Sequence, residues 1–147
     1  MSSQKLILLT NSNNTTPATY DDPAQFSANL PTTIMLPANC EVCIGAYSVD
    51  ESVAGNVGRL LYVNLNNLPF GNMTANAREG LVSRIVGCIK SNVGTTDPQR
   101  WTCLENQYPI PLTSIDILIT NQDGEKVSQL QGLTEIVLYY RKEAYKQ

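Results

Sequence analysis

The sequence predicts an all-β protein of eight antiparallel strands with little or no helix. Three observations carry that expectation. Apolar runs of strand length recur from one end of the chain to the other. Turn-forming residues punctuate them, with 8 prolines, 9 glycines and 14 asparagines among 147 residues. Apolar spacing of helical period is nearly absent.

The runs are taken in chain order. Lys5–Thr10 begins with Leu6-Ile7-Leu8-Leu9 and gives way to an Asn/Thr-rich loop, Asn11–Thr16. Gln25–Leu30 is the second strand, stopped by Pro31, and Cys40–Val49 is the third. In Arg59–Asn66, Leu61, Val63 and Leu65 share one face, and Tyr62, Asn64 and Asn66 share the other. The most helix-like stretch is Ala75–Ile85, where one helical turn is expected before Gly80 interrupts it. Leu81–Lys90 and Arg100–Glu105 are the fifth and sixth strands. Ser114–Thr120 aligns Ile115, Ile117 and Ile119 on one face, and Asp123-Gly124 then signals a hairpin-type turn. Leu133–Lys142 is last, with Ile136, Leu138 and Tyr140 on one face and Val137 and Tyr139 on the other. Unequal connections favour a Greek-key or jelly-roll β-sandwich over an evenly looped meander.

The length fits one domain spanning residues 1–147, large enough to bury a core without disulfide or metal. Only 16% of residues are charged, the net charge is −3 and the sequence pI is about 4.8. Ten scattered cations give no footprint for phosphate backbones, so no sequence-specific nucleic-acid binding is expected. Without histidine there is no imidazole base, no Ser-His-Asp relay and no histidine metal ligand. No apolar run approaches the ~20 residues of a membrane span, and the first residues do not read as a secretory leader.

Free thiols are therefore expected for Cys40, Cys43, Cys88 and Cys103. Cys40-x-x-Cys43 has the spacing of a zinc or redox pair, but it lies in a strand, where residues three apart face opposite ways. Asp21-Asp22, Asp50-Glu51 and Asp116 with Asp123 offer oxygens of the kind calcium takes, but no calcium-loop motif is present. No GxSxG, P-loop or GxGxxG occurs. No cofactor or metal is expected. Sequons begin at Asn13, Asn14 and Asn72, all in expected loops. Trp101 beside Arg100 reads as a half-buried strand aromatic, with a sugar-stacking ring as the alternative. Arg141, Lys142 and Lys146 read as a solvated basic tail.

Several stretches together carry a resemblance. They are Leu6–Thr10 with its Asn/Thr loop, Phe26-Ser27-Ala28-Asn29-Leu30-Pro31, Ile34-Met35-Leu36-Pro37 and the strand opened by Cys40-Glu41-Val42. Leu61–Leu65 with Asn67-Leu68-Pro69, Ser83–Gly87, Asn106–Leu112, Ile115–Ile119 and Ile136–Arg141 complete it. In this pattern of strands and turns the chain resembles the single jelly-roll penton and minor capsid proteins of large icosahedral DNA viruses, virophages and polinton-like elements. The resemblance implies a structural virion protein. Five copies would ring a five-fold vertex, bordered by the major capsid protein and other minor capsid proteins, in a capsid assembled in the host cytoplasm. No catalysis is implied.

A ring of five needs apolar surface outside each subunit's own core. In a jelly roll the first and last strands are neighbours, and here both carry apolar residues on both faces. Leu6, Leu8, Val137 and Tyr139 are therefore candidate assembly residues, joined by Leu68 and Phe70 from an apolar loop. The competing expectation for each is ordinary packing within the chain. The alternative class is a binding module that recognises a glycan or a surface protein, and an enzyme ranks third.

Overall fold

A computed structural model describes residues 4–68, 72–75, 80–95 and 100–142. Eleven strands occur among them, and the only helical pieces are single 3-10 turns at Pro17–Thr19 and Ala54–Asn56. The strands are β1 (Lys5–Thr10), β2 (Gln25–Leu36), β3 (Cys40–Glu51), β4 (Leu60–Leu65), β5 (Asn72–Ala75) and β6 (Gly80–Ser83). They continue as β7 (Ile85–Lys90), β8 (Asn92–Thr95), β9 (Thr102–Cys103), β10 (Ile110–Thr120) and β11 (Leu130–Lys142).

Two antiparallel sheets form a sandwich. The five-stranded sheet runs β1-β11-β3-β8, with β9 also on β3, and the four-stranded sheet runs β2-β10-β4-β7. The chain changes sheet between β1 and β2, β2 and β3, β3 and β4, β7 and β8, β9 and β10, and β10 and β11. β5 and β6 form a separate hairpin. The helical turn expected before Gly80 falls on residues 76–79, outside the described residues; Asn72–Ala75 and Gly80–Ser83 on either side are strands, so the sequon at Asn72 lies in a strand and not in a loop.

The core fills from both sheets. Leu9, Val42, Ile44, Val49, Ile136 and Leu138 project from the larger sheet, and Leu61, Val63, Leu65, Ile115, Ile117 and Ile119 from the smaller. Each fully buried Leu or Ile contributes about 1.5–3 kcal/mol by leaving water. β3 keeps its inward set through an irregularity. Ile44 pairs with Leu138 and Tyr47 with Ile136, so Gly45 and Ala46 together oppose Val137. This bulge shifts the alternation and turns Tyr47 inward, where its hydroxyl accepts from the Lys90 N–H of the other sheet at 3.1 Å.

Buried asparagines close the two ends. Asn11 Oδ1 accepts from the Thr134 N–H at 2.7 Å, and Nδ2 donates to the carbonyls of Asp21 and Gly132. Asn106 Oδ1 accepts from the Cys40 N–H at 3.0 Å, and Nδ2 donates to the carbonyls of Pro37 and Tyr108. Paired buried amides of this kind hold loops that would otherwise leave backbone groups unsatisfied. The Asp-Gly signal is a real turn: Asn121 Oδ1 accepts from the N–H groups of Asp123 and Glu125, and Gly124 has φ 81°. It closes an isolated bridge, Thr120 to Lys126, before the chain crosses to the other sheet.

Candidate assembly face

The register of β1 on β11 determines which way each side chain points. Leu9 lies opposite Ile136 and Ile7 opposite Leu138, so these face the core. The intervening pairs, Leu6 with Tyr139 and Leu8 with Val137, face outward. Leu6 is 56% exposed and Leu8 50% exposed, while Val137 and Tyr139 are half-buried. Four of the six candidate residues therefore meet on one outward surface.

Tyr139 spreads this surface toward β3. It pairs with Cys43, and its ring lies over Gly45 so closely that a Cβ there would overlap it. A ring covering a strand glycine replaces the side-chain contact that glycine lacks. The face ends in a charged border. Arg141 Nε donates to Glu41 Oε1 at 3.2 Å, and its guanidinium lies 3.7 Å from the Trp101 ring centroid. Trp101 is half-buried, as expected, but lies just before β9, the two-residue remnant of the strand expected over Arg100–Glu105, with one ring face covered by a cation. Arg141 is thereby part of a packed surface rather than of a free basic tail.

The other two candidates fare differently. Leu68 is 1% exposed and belongs to the core, with its carbonyl accepting from the Arg84 guanidinium. Leu68 is therefore a core anchor, not an accessible contact. Phe70 lies outside the described residues.

The cysteines and acids resolve as strand and turn residues. Cys40 faces the core and Cys43 the outer surface, since Cys40 pairs with Lys142 and Cys43 with Tyr139, positions of opposite parity on β11. Burial pushes the Cys40 thiol up to about 12 and also raises Cys43. Asp22 accepts from the Ala24 N–H at 2.9 Å and from Lys126 at 2.7 Å, and Asp116 accepts from the Ser27 hydroxyl at 2.7 Å. Glu51 is buried and bound by Arg59 at 2.7 Å. Among the described residues no three Cys, Asp or Glu side chains gather into a set that could hold a metal ion. An open groove of about 550 Å³ is lined by Ser48, Val49, Asp50, Asn92 and Leu133, with one carboxyl as its titratable group. No helix among the described residues is long and apolar enough to cross a membrane.

Sequence reasoning missed the parts of the face contributed by Gly45, Cys43 and the Trp101–Arg141 stack. Gly45 had a usable signal, since glycine inside a strand marks a bulge or a close approach. The stack had none, because it depends on how distant strands register. Compared with models of known protein families and with curated proteins, the chain finds no match.

Proposed function

We propose that this chain is a structural protein that works by self-association: a jelly-roll subunit of an icosahedral shell, of the penton type, in which five copies surround a vertex. The observation that carries the reading is the outward pairing of Leu6 with Tyr139 and of Leu8 with Val137. Aliphatic side chains left half in water gain free energy only by being covered, at roughly 25 cal/mol per Å². The strand orders β1-β11-β3-β8 and β2-β10-β4-β7, with the chain repeatedly changing sheet, support the jelly-roll assignment.

A ring contact joins two different flanks. The outer face of the five-stranded sheet is one. Val53 and Val57, exposed in the β3–β4 connection, are the residues assigned to the other. The reading places the subunit in a virion capsid assembled in the host cytoplasm, beside a major capsid protein and other minor ones. It calls for no cofactor and no reaction. The alternative, a glycan- or surface-protein-binding module, is less well supported, because the single tryptophan carries Arg141 on its ring.

Sedimentation and light scattering on the purified chain, from micromolar to hundreds of micromolar, test the reading. A species of five times the 16.1 kDa chain mass is the expected result. A chain that stays monomeric throughout and is retained on immobilised glycans would transfer the assignment to the binding module.

A further inference from the structure

A second feature of the five-stranded sheet concerns its edge rather than its face. β1 is the last strand on its side, paired with β11 along one edge and, among the described residues, with no strand along the other. The remaining edges of the two main sheets are interrupted. β2 contains Pro31, and its register on β10 slips between Leu112 and Ser114. β7 contains Gly87, and its pairing with β4 slips between Val63 and Asn64. β8 and β9 are fragments of four and two residues. Prolines, bulges and short length are the devices that stop an edge from recruiting another strand.

β1 has none of them. Its six residues pair with β11 without a slip, contain neither proline nor glycine, and carry a single charge, Lys5, at one end. Its outward side chains, Leu6 and Leu8, are exposed. A straight apolar edge with open N–H and C=O groups is a template for an added strand.

We infer that the open edge of β1 is a docking site for β1 of a second copy, paired antiparallel about a two-fold axis to continue the five-stranded sheet. The strand's own sequence selects this occupant. Leu6-Ile7-Leu8 is symmetric about Ile7, so two antiparallel copies oppose Ile7 with Ile7 and Leu6 with Leu8, every residue keeping its face. The two Lys5 side chains then lie at opposite ends of the pair. Parallel pairing in the same register would set the like charges opposite each other, which is destabilising. Leu6 and Leu8 of both copies would form one apolar strip, continuous with Val137 and Tyr139. The contact is two-fold and differs in symmetry from the proposed five-fold contact, which joins two different flanks, although Leu6 and Leu8 border both.

Hydrogen exchange resolved to the β1 amides, followed across the same concentration range as the sedimentation, tests the inference. Amides of β1 that point toward β11 are protected throughout and serve as the internal standard. The outward amides are expected to exchange freely in dilute solution and to slow by roughly tenfold or more as copies associate. Leu8→Lys, a charge at an exposed position in the middle of the edge, should abolish that slowing without unfolding the monomer. Rings of five with freely exchanging outward amides would overturn the inference and leave the shell reading standing. Two-fold dimers with slowed amides and no larger species would support the inference and remove the five-fold reading. A monomer with unslowed amides at every concentration would overturn both.

Discussion

On the outer face of the five-stranded sheet, neighbouring strands present Leu6, Leu8, Val137 and Tyr139. On the outer face of the four-stranded sheet the corresponding positions are Ser27, Asp116, Leu118, Thr120, Asn64 and Tyr62, with Leu60 exposed at the end of β4. The second set largely satisfies itself. Ser27 donates to Asp116, and buried Asn64 donates to Thr120 Oγ1 at 3.0 Å and to the Leu118 carbonyl at 3.1 Å. Leu118 and Tyr62 sit half-buried among these groups. The first set has no such closure, since two leucines stand half in water opposite Val137 and Tyr139. The lesson is that one backbone plan yields a finished surface where outward side chains hydrogen-bond each other, and an unfinished one where they can only be covered.

The largest expected effect breaks the comparison directly. Leu8 and Val137 lie directly opposite each other, as do Tyr62 and Cys88 on the other sheet. Aspartate at both members of either pair adds the same like-charge cost across strands, at most about 1 kcal/mol. Leu8→Asp with Val137→Asp should weaken self-association by about 4 kcal/mol, roughly a thousandfold, the scale of two truncated contact anchors. Tyr62→Asp with Cys88→Asp should leave association unchanged. Sedimentation at matched concentration distinguishes the two, and equal loss in both would remove the special standing of the β1–β11 face.

Most of that face was legible because period-two alternation survives folding. Ile115, Ile117 and Ile119 are buried together, and Val137 and Tyr139 stand opposite their core-facing neighbours, as the spacing requires. What was hidden depended on distant partners. Asn11 and Asn106 read as turn residues and Asn64 as a strand residue, and the burial of their amides against segments far along the chain has no signature in sequence. β2 was stopped at Leu30 by Pro31, but an edge strand tolerates proline and a slip in register accommodates it. Asn92–Thr95 carries one large apolar residue and gave no strand signal, although β3 pairs with it. Leu68 stands in sequence as either an outward contact or an inward anchor, because the two have the same composition, and its burial decides for the anchor.

Two substitutions to alanine probe what secures each outer face. Gly45→Ala places a methyl group in the volume of the Tyr139 ring and should cost about 1–3 kcal/mol, as overpacking does. It should also displace Tyr139 and weaken association. Asn64→Ala leaves Thr120 and the Leu118 carbonyl without their donor and should cost about 1–2 kcal/mol. Association should not change. Thermal unfolding gives the stability change and sedimentation the association, so a Gly45→Ala chain that associates normally would show that Tyr139 is packing alone.

The smallest effect concerns pH. Burial raises the thiols of Cys40 and Cys43 on β3 and the phenol of Tyr140 on β11, and also the thiol of Cys88 on β7, so raised groups sit on both sheets and Cys40 is the most strongly shifted of them. A thiol raised in the folded chain favours folding while it is protonated in both states. That contribution is complete below the ordinary value near 9 and is lost as pH climbs toward about 12, because the unfolded chain ionises first. One unit above the ordinary thiol value, Cys40 alone should cost about 1 kcal/mol of stability. Cys40→Ala should be less stable at neutral pH, from lost packing, yet lose less of its remaining stability between pH 8 and about 10. Unfolding midpoints measured across that interval give the two slopes. Parallel slopes would mean that Cys40 titrates at its ordinary value, and the alkaline weakness would then belong to Cys43 and Tyr140 on the five-stranded sheet and Cys88 on the four-stranded one.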